Sequence, residues 1–592
     1  MSNHVIQRFV EIVRQHGDRP ATRIREGESW RTQTYSQFDQ KVRRVAQGLI
    51  DVGLQAGDRV ALFTPNCPEW SEIDFGTGMS RGVLVPLYAT STPAQIAHIV
   101  SDSGARLMFV GGKSEAERVI EAREIAEMPQ IITIEDYEGR PDDVILYSEF
   151  QKEPREAVED RFATAVGEDL SAIVYTSGTT GSPKGAMLQH SALTAQCDAL
   201  DVFLDVKPED SSLAFLPLSH ALERAWTTVV LTHGCLNTYV KNPRTVAEQM
   251  QLAQASMMVS VPKLFETVFA TAHQKVASSP AKRAVFSWAL KIGRHNQYSY
   301  RSGRQPSPLL RAKRALADKL VYSSVREAMG GTKNILACGG APIRPEVEEF
   351  FSAVGMPILC GYGLTEASPL VTFNAPTDFK IGTVGRVMSG GELRVAEHGE
   401  LLYRGPNVMK GYWNDEEATR EAIDEDGWLH TGDVGYIDTD GMVTITDRLK
   451  DIIVTLGGKN VAPQPIEGLI LSDPLFEHAV LIGDMRPFVT VLVKPSMAGV
   501  QELAEKFDWP GKAEDWLNSS ELAAEIKARV EKLTEKLPTQ DRPKEAEIVD
   551  EDFSMDNGLL TPTLKVRRRE VEKRFKARID AMYERMEKLR RG

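Results

Sequence analysis

Apolar positions follow two rhythms in the first quarter of the chain. Helical spacing predicts helices around Phe38–Val52, near Trp70–Met79 and over Pro93–Ser103. Short β-rich runs between them predict strands at Arg59–Phe63, Val83–Pro86 and Arg106–Val110. Alternation of this kind builds a largely parallel sheet with helices on both faces. It resumes at 171–175, 256–261, 334–338 and 357–360. The N-terminus carries Ile6, Phe9, Val10 and Val13 at helical spacing, without the apolar core of a signal peptide. Residues 381–446 change rhythm. Their short runs, broken by Gly and Asp, predict a small β-barrel or β-rich subdomain. From about 451 a separate α+β unit follows, with strands at Ala479–Gly483 and Val489–Lys494 and helices at Ser519–Leu537 and Val566–Leu589. The predicted class is therefore α/β. A large domain (1–449) of two doubly covered sheets plus the β-rich part joins a small domain (450–592).

Composition narrows the function classes. A chain of 592 residues that is 42% apolar and carries a net charge of −13 is an ordinary globular sequence and a poor general binder of nucleic acid. Its five cysteines show no Cys-x-x-Cys pair, which fits a reducing, cytoplasmic setting and argues against a disulfide framework. No apolar run approaches the ~20 residues of a membrane span. One stretch inverts the charge: residues 275–326 hold twelve Lys/Arg against Asp318 alone, interleaved with Val285, Phe286, Trp288, Ala289, Leu290, Ile292, Leu309, Leu310, Leu316 and Leu320. That mixture suits the surface of an anionic membrane or an anionic ligand. A solvated helical excursion would look the same.

Four loops carry chemistry. The run Ala172–Tyr175 empties into Thr176, Ser177, Gly178, Thr179, Thr180, Gly181 and Ser182, with Lys184 and Gly185 beyond Pro183. Glycines that open the backbone N–H groups, hydroxyls and a lysine can surround phosphate, although the spacing is not Walker A. In Gly361-Tyr-Gly-Leu-Thr-Glu366 the glycines free the Tyr362 ring for a flat partner, Thr365 can donate, and Glu366 is a hard oxygen ligand. Cys338-Gly-Gly-Ala-Pro342 is another glycine-rich strand exit, and such exits form crevices at strand C-termini. In the third region Asp433 can accept from two ribose hydroxyls, with Arg448 nearby. The fourth places Lys565 after the rigid turn Thr561-Pro-Thr563. Taken singly, each also reads as an ordinary turn, cap or surface lysine.

Together and in this order, the four regions resemble the adenylate-forming superfamily of acyl-CoA synthetases, nonribosomal adenylation domains and insect luciferases. The resemblance runs from about residue 20 to 585. Residues 426–450, the segment Phe215–Arg224, the basic insert and Gly457–Pro463 most resemble the long-chain fatty acid–CoA ligases. That implies activation of a fatty acid by ATP to acyl-AMP, then transfer to CoA. It implies Thr176–Gly185 on the β- and γ-phosphates with Lys184, and Tyr362 on adenine beside Gly340, Ala341 and Gly363. Thr365 would meet the α-phosphate, Glu366 and Thr179 Mg2+, and Asp433 and Arg448 the ribose. His220 would stand near the acyl group and Lys565 would bridge carboxylate and α-phosphate. Lys450 would be the hinge between the domains. A fatty-acyl-AMP ligase that loads a carrier protein shares these motifs, but the usual insertion near the hinge is absent from Lys450–Gly457. Two further alternatives are a luciferase-type oxygenase, weakened by the missing second lysine after the hinge, and a non-catalytic nucleotide sensor.

Overall fold

The computed structural model describes residues 3–176, 183–301, 306–457, 459–554, 557–560 and 566–591. Among the site candidates, Ser177, Gly178, Thr179, Thr180, Gly181 and Lys565 lie outside the described residues. The chain divides into two compact units. The first comprises 1–394, 402–431 and 437–444; the second comprises 395–401, 432–436 and 445–592.

The first unit is built on two large sheets. A seven-stranded sheet runs in the order Ile145–Leu146, Gln130–Thr133, Leu107–Val110, Arg59–Phe63, Val83–Pro86, Leu170–Thr176, Lys184–Gln189. Its pairs are parallel except the last, where Tyr175 faces Gly185 and Thr176 faces Lys184 across an antiparallel ladder. The predicted strands at 59–63 and 83–86 stand as read. So does the helix Pro93–Ser103: Thr92 caps it in a reciprocal box with Gln95, and Gly104 ends it at φ 61°. A nine-stranded sheet contains Met257–Ser260, Ile335–Cys338 and Leu359–Gly363 as adjacent strands, extended on one side by Leu370–Phe373 and Arg386–Val387. Its other half is Ser211–Ala214, Leu236–Tyr239 and a hairpin that the sequence pattern did not reveal, Pro20–Glu26 with Ser29–Thr34.

Residues 392–448 hold four strands hydrogen-bonded in sequence order as one sheet, where a small barrel or a β-rich subdomain was expected. The second unit contains a three-stranded sheet of Phe476–Ile482, Thr490–Pro495 and Ala546–Ile548. Its last predicted helix is two, Arg568–Arg574 and Lys576–Arg591, interrupted at Phe575, whose ring is buried. All five cysteines are free and buried. Among the described residues no helix is long and apolar enough to cross a membrane.

The basic segment forms helices, and they correct the reading of its apolar residues. Phe286, Ala289 and Leu290 of the helix Pro280–Arg301 are buried in the core around Phe350 and Phe351, not turned to solvent. Periodicity identified the stripe but not the side on which its partner lies.

The N-terminal helix Val5–His16 is anchored by a buried histidine stack. The rings of His4 and His190 lie 3.8 Å apart at 20°, and His4 Nδ1 caps the helix by accepting from the Ile6 N–H at 3.3 Å. Burial lowers His4 to about 4, with Arg81 opposing protonation and Asp169 favouring it. Burial, then the neighbouring His4 and Arg224, hold His190 well below its usual value. Both rings are thus neutral in the fold and free to protonate in the unfolded chain. Their stabilisation is complete above pH 6.5 and is lost as pH falls towards 4, roughly 3 kcal/mol for His4 alone. Replacing both, His4→Asn to keep a cap acceptor and His190→Leu, should flatten the fall in melting temperature between pH 7 and 5. A double variant with the wild-type slope would exclude this pair as the acid-sensitive element.

Candidate active site

At the C-terminal ends of Ile335–Cys338 and Leu359–Gly363 the first unit contains a cavity, the position where open α/β sheets bind ligands. It brings His220 together with Gly340, Gly363 and Thr365, which follow it by more than a hundred residues in the sequence. Its other walls are mostly apolar: Leu200, Leu222, Trp226, Val259 and Phe373. Trp226 is held by its indole N–H, which donates to Ser212 Oγ at 2.9 Å.

The glycines at the mouth are dictated by close approach. A Cβ on Gly363 would lie 1.9 Å from the Pro369 carbonyl oxygen, and one on Gly361 2.8 Å from the Phe373 ring. Gly340 has φ 81°, in the left-handed region. Tyr362 stands between the two close-packed glycines, paired with Thr372 across an antiparallel ladder, and is buried. Thr365 and Glu366 open the short 3₁₀ turn Thr365–Ala367 that follows.

His220 caps the helix Ala221–Thr232, its Nδ1 accepting from the Leu222 N–H at 3.2 Å. A neutral ring accepting at Nδ1 carries its proton on Nε2. The loop before it is held by Asn66 and Glu223, and the start of the helix by Arg224. Asn66 takes the Leu218 N–H at 3.1 Å and donates to the Leu216 carbonyl at 2.7 Å. Glu223 accepts from the Leu216 N–H at 3.1 Å. Arg224 forms a buried fork with Asp74 at 2.8 and 2.9 Å and reaches Ser171 Oγ at 2.6 Å. Burial raises Glu223 well above the usual carboxylate range, favouring its neutral form. Glu223→Gln should therefore preserve adenylation, whereas Glu223→Ala should cost about 1–3 kcal/mol by stranding a buried N–H. Melting curves and activity of the two variants check this; equal losses in both would mean that the carboxyl group itself is required.

Lys184 and Glu366 are linked through a residue that sequence reasoning missed. Tyr412 donates to Glu366 Oε1 at 2.7 Å, and the Lys184 ammonium sits 5.6 Å from the Tyr412 ring centroid and 3.5 Å from Asp415 Oδ2. Burial, then the Glu366 charge, raise the Tyr412 phenol, which keeps it a donor. Asp415 also caps the helix Glu416–Ala422 through the Ala418 N–H at 2.9 Å. The available signal was Gly411-Tyr412-Trp413 ahead of a capping Asp, an aromatic pair in an otherwise polar loop. Ala341, next in the chain to Gly340 of the cavity wall, is exposed.

Asp433 and Arg448 belong to the second unit. They pair, Arg448 Nε to Asp433 Oδ1, at 3.0 Å, with the Asp433 side chain almost fully buried and Arg448 largely exposed. Asp447 accepts the N–H groups of Arg448 at 2.7 Å and Gln464 at 3.0 Å, and burial raises it to about 6. Lys450 is exposed in the 3₁₀ turn Leu449–Asp451.

A family model described as AMP-binding enzyme matches residues 9–413, and that of its C-terminal domain matches 450–587. The chain belongs to the AMP-binding enzyme family. The long-chain-fatty-acid–CoA ligase FadD15 of Mycobacterium tuberculosis is 35% identical over 560 residues, covering 94% of this chain and 92% of its own. The human long-chain-fatty-acid–CoA ligase ACSBG1 is 28% identical, covering 97% and 84%. Among solved structures, the anthranilate CoA ligase AuaEII in complex with anthranoyl-AMP aligns with a TM-score of 0.73 at 19% identity over 98% of both chains. ATP-bound MatB from Rhodopseudomonas palustris aligns with a TM-score of 0.68 at 22% identity, covering 97% and 99%. These two likenesses are of fold.

Proposed function

We propose that this member of the AMP-binding enzyme family is a long-chain fatty acid–CoA ligase. The observation that carries the reading is the apolar cavity of the first unit, opening onto the glycine-rich strand ends, in a chain that matches ligases of that name over nearly its whole length. A carboxylate is a poor electrophile because its charge repels nucleophiles. Its oxygen attacks the α-phosphorus of ATP, the bond to the β-phosphate breaks, and pyrophosphate leaves with acyl-AMP formed. The sulfur of CoA then attacks the acyl carbon, the bond to AMP breaks, and the thiol proton passes to solvent.

The first step joins an anion to a polyanion, so cations and preorganised donors matter most. In this reading Thr176, Lys184 and the hydroxyls between them hold the β- and γ-phosphates. Tyr362 stacks on adenine beside Gly340, Ala341 and Gly363, Thr365 donates to the α-phosphate, and Asp433 with Arg448 holds the ribose. His220 offers its Nε2–H at the acyl end of the cavity, and Lys565 bridges carboxylate and α-phosphate. Mg2+ fits Glu366 through the carboxylate oxygen that Tyr412 leaves open, with Thr179 as a second candidate; a single carboxylate plus phosphates is the usual Mg2+ set. Bound there, it would neutralise phosphate charge.

Pyrophosphate exchange from ATP across acids of C6 to C20, followed by addition of CoA, tests the assignment. Exchange should rise with chain length and the product should be acyl-CoA and AMP. Exchange without thioester formation would favour the carrier-loading alternative, and no exchange with any acid would reject both. Domains at 1–449 and 450–592, with Lys450 at their hinge, belong to the same proposal. Lys450→Pro fixes φ and removes an N–H, and is expected to spare acyl-AMP formation while suppressing thioester formation. Equal retention of both steps would move the pivot elsewhere. A cytoplasmic setting, and peripheral contact of the 275–326 segment with an anionic membrane, complete the reading.

A further inference from the structure

We infer that the helix Pro308–Ala317, with the turn after it, is the lipid-docking face of this protein, inserting leucines into an anionic bilayer. Leu309, Leu316 and Leu320 are 65%, 51% and 52% exposed. Positions seven apart return to one side of an α-helix, so Leu309 and Leu316 make a stripe, and Leu320 follows them in the π-helical turn Asp318–Tyr322. Leu310 and Ala317, about a quarter-turn round the helix from the stripe, are buried. Isolated exposed leucines are ordinary; three along one short stretch are not. Lys313 and Lys319 flank the stripe and Arg311 lies across the helix from it, all exposed, and among the described residues none has an ion-pair partner. In the same segment Arg294 pairs with Glu349 at 3.3 Å and Arg326 with Asp318 at 2.7 Å.

Charge selects the occupant. The chain carries −13 overall, so an anionic surface repels most of the molecule and attracts this face, which orients it. Leucines beside unpaired bases match the boundary between acyl chains and anionic headgroups. The inference rests on the proposal that the 275–326 segment meets a membrane, but it narrows the contact from Phe286 and Leu290, which are in the core, to the leucines of one helix and the turn after it.

The test is co-sedimentation with phosphatidylglycerol and phosphatidylcholine vesicles at low and high salt. Wild type should bind the anionic vesicles at low salt. The triple variant Leu309→Ser, Leu316→Ser, Leu320→Ser should lower partitioning at least about tenfold, and Lys313→Glu with Lys319→Glu about fivefold per residue. Pyrophosphate exchange on a water-soluble short acid should not change. A triple variant that binds like wild type overturns the inference. If charge reversal at Lys282, Arg283 and Lys291 abolishes binding while the leucine variant does not, the segment reading survives and this face fails. No binding by wild type removes both. A wild-type dimer that the leucine variant turns to monomer would assign the face to a second copy instead. A second readout does not depend on the triple variant. Because all five native cysteines are buried, Leu316→Cys accepts an environment-sensitive fluorophore selectively. Its emission should shift to the blue with phosphatidylglycerol vesicles, and an unchanged spectrum also overturns the inference.

Discussion

Lys565→Ala should stop the synthesis of acyl-AMP while leaving the conversion of synthetic acyl-AMP and CoA to acyl-CoA largely intact. In the first half-reaction a carboxylate approaches a triphosphate, and negative charge accumulates where both meet. A lysine between them screens that repulsion and stabilises the transition state more than the separated reactants, the condition for a gain in rate. Once the anhydride exists, the attacking thiol no longer faces a carboxylate, and the bridge has nothing to hold. Removing one such preorganised contact costs on the order of 10²–10³-fold. Pyrophosphate exchange measures the first step, and thioester formation from pre-made acyl-AMP measures the second. Equal losses in the two would show that Lys565 acts on something common to both, such as nucleotide binding.

Gly363→Ala is expected to be nearly as damaging, for a reason lodged in the backbone. The added methyl would lie 1.9 Å from the Pro369 carbonyl oxygen, 2.8 Å from its carbon and 2.9 Å from the Leu370 Cα. No rotamer can relieve contacts made by Cβ itself, so the strand Leu359–Gly363 must part from Leu370–Phe373. That displaces Tyr362 and Thr365 together. A misplacement near 1 Å costs on the order of 100-fold in rate. The variant should fold with a lowered melting temperature and show weakened ATP binding as well as slow adenylation. Wild-type affinity for ATP in Gly363→Ala would separate this hairpin from the nucleotide.

Much of the first unit was legible because its elements carry their own punctuation. The helix Pro93–Ser103 has a Thr cap, a Pro at its start and a left-handed Gly at its end, and the strands at 59–63 and 83–86 are buried apolar runs. The hairpin Pro20–Thr34 was not legible because its inward positions include polar groups. Thr22 is buried and donates to Gln33 Oε1 at 2.9 Å, so no apolar alternation marks the strands. The final helix looked continuous because nothing in its pattern marks Phe575 as a break. At the site, glycine and hydroxyl patterns pointed to loops, but the link from Lys184 through Tyr412 to Glu366 joins residues 184, 366 and 412 only in three dimensions. The basic segment shows the same limit: charge is visible in sequence, whereas which leucines face outward depends on what fills the other side.

The parallel pairing of Thr22 with Asn237 has a consequence for biosynthesis. The N-terminal hairpin leaves the ribosome long before its partner strand, and at ~5–20 residues per second the delay is roughly ten to forty seconds. During that interval Pro20–Glu26 has one finished neighbour and one open edge, the condition that invites pairing with another chain. The hairpin's arginines, the half-buried Arg25 and Arg31 among them, discourage such encounters while the chain grows. Deleting the first 34 residues would leave the opposite defect, since Leu236–Tyr239 would then become a bare margin of the nine-stranded sheet for the lifetime of the protein.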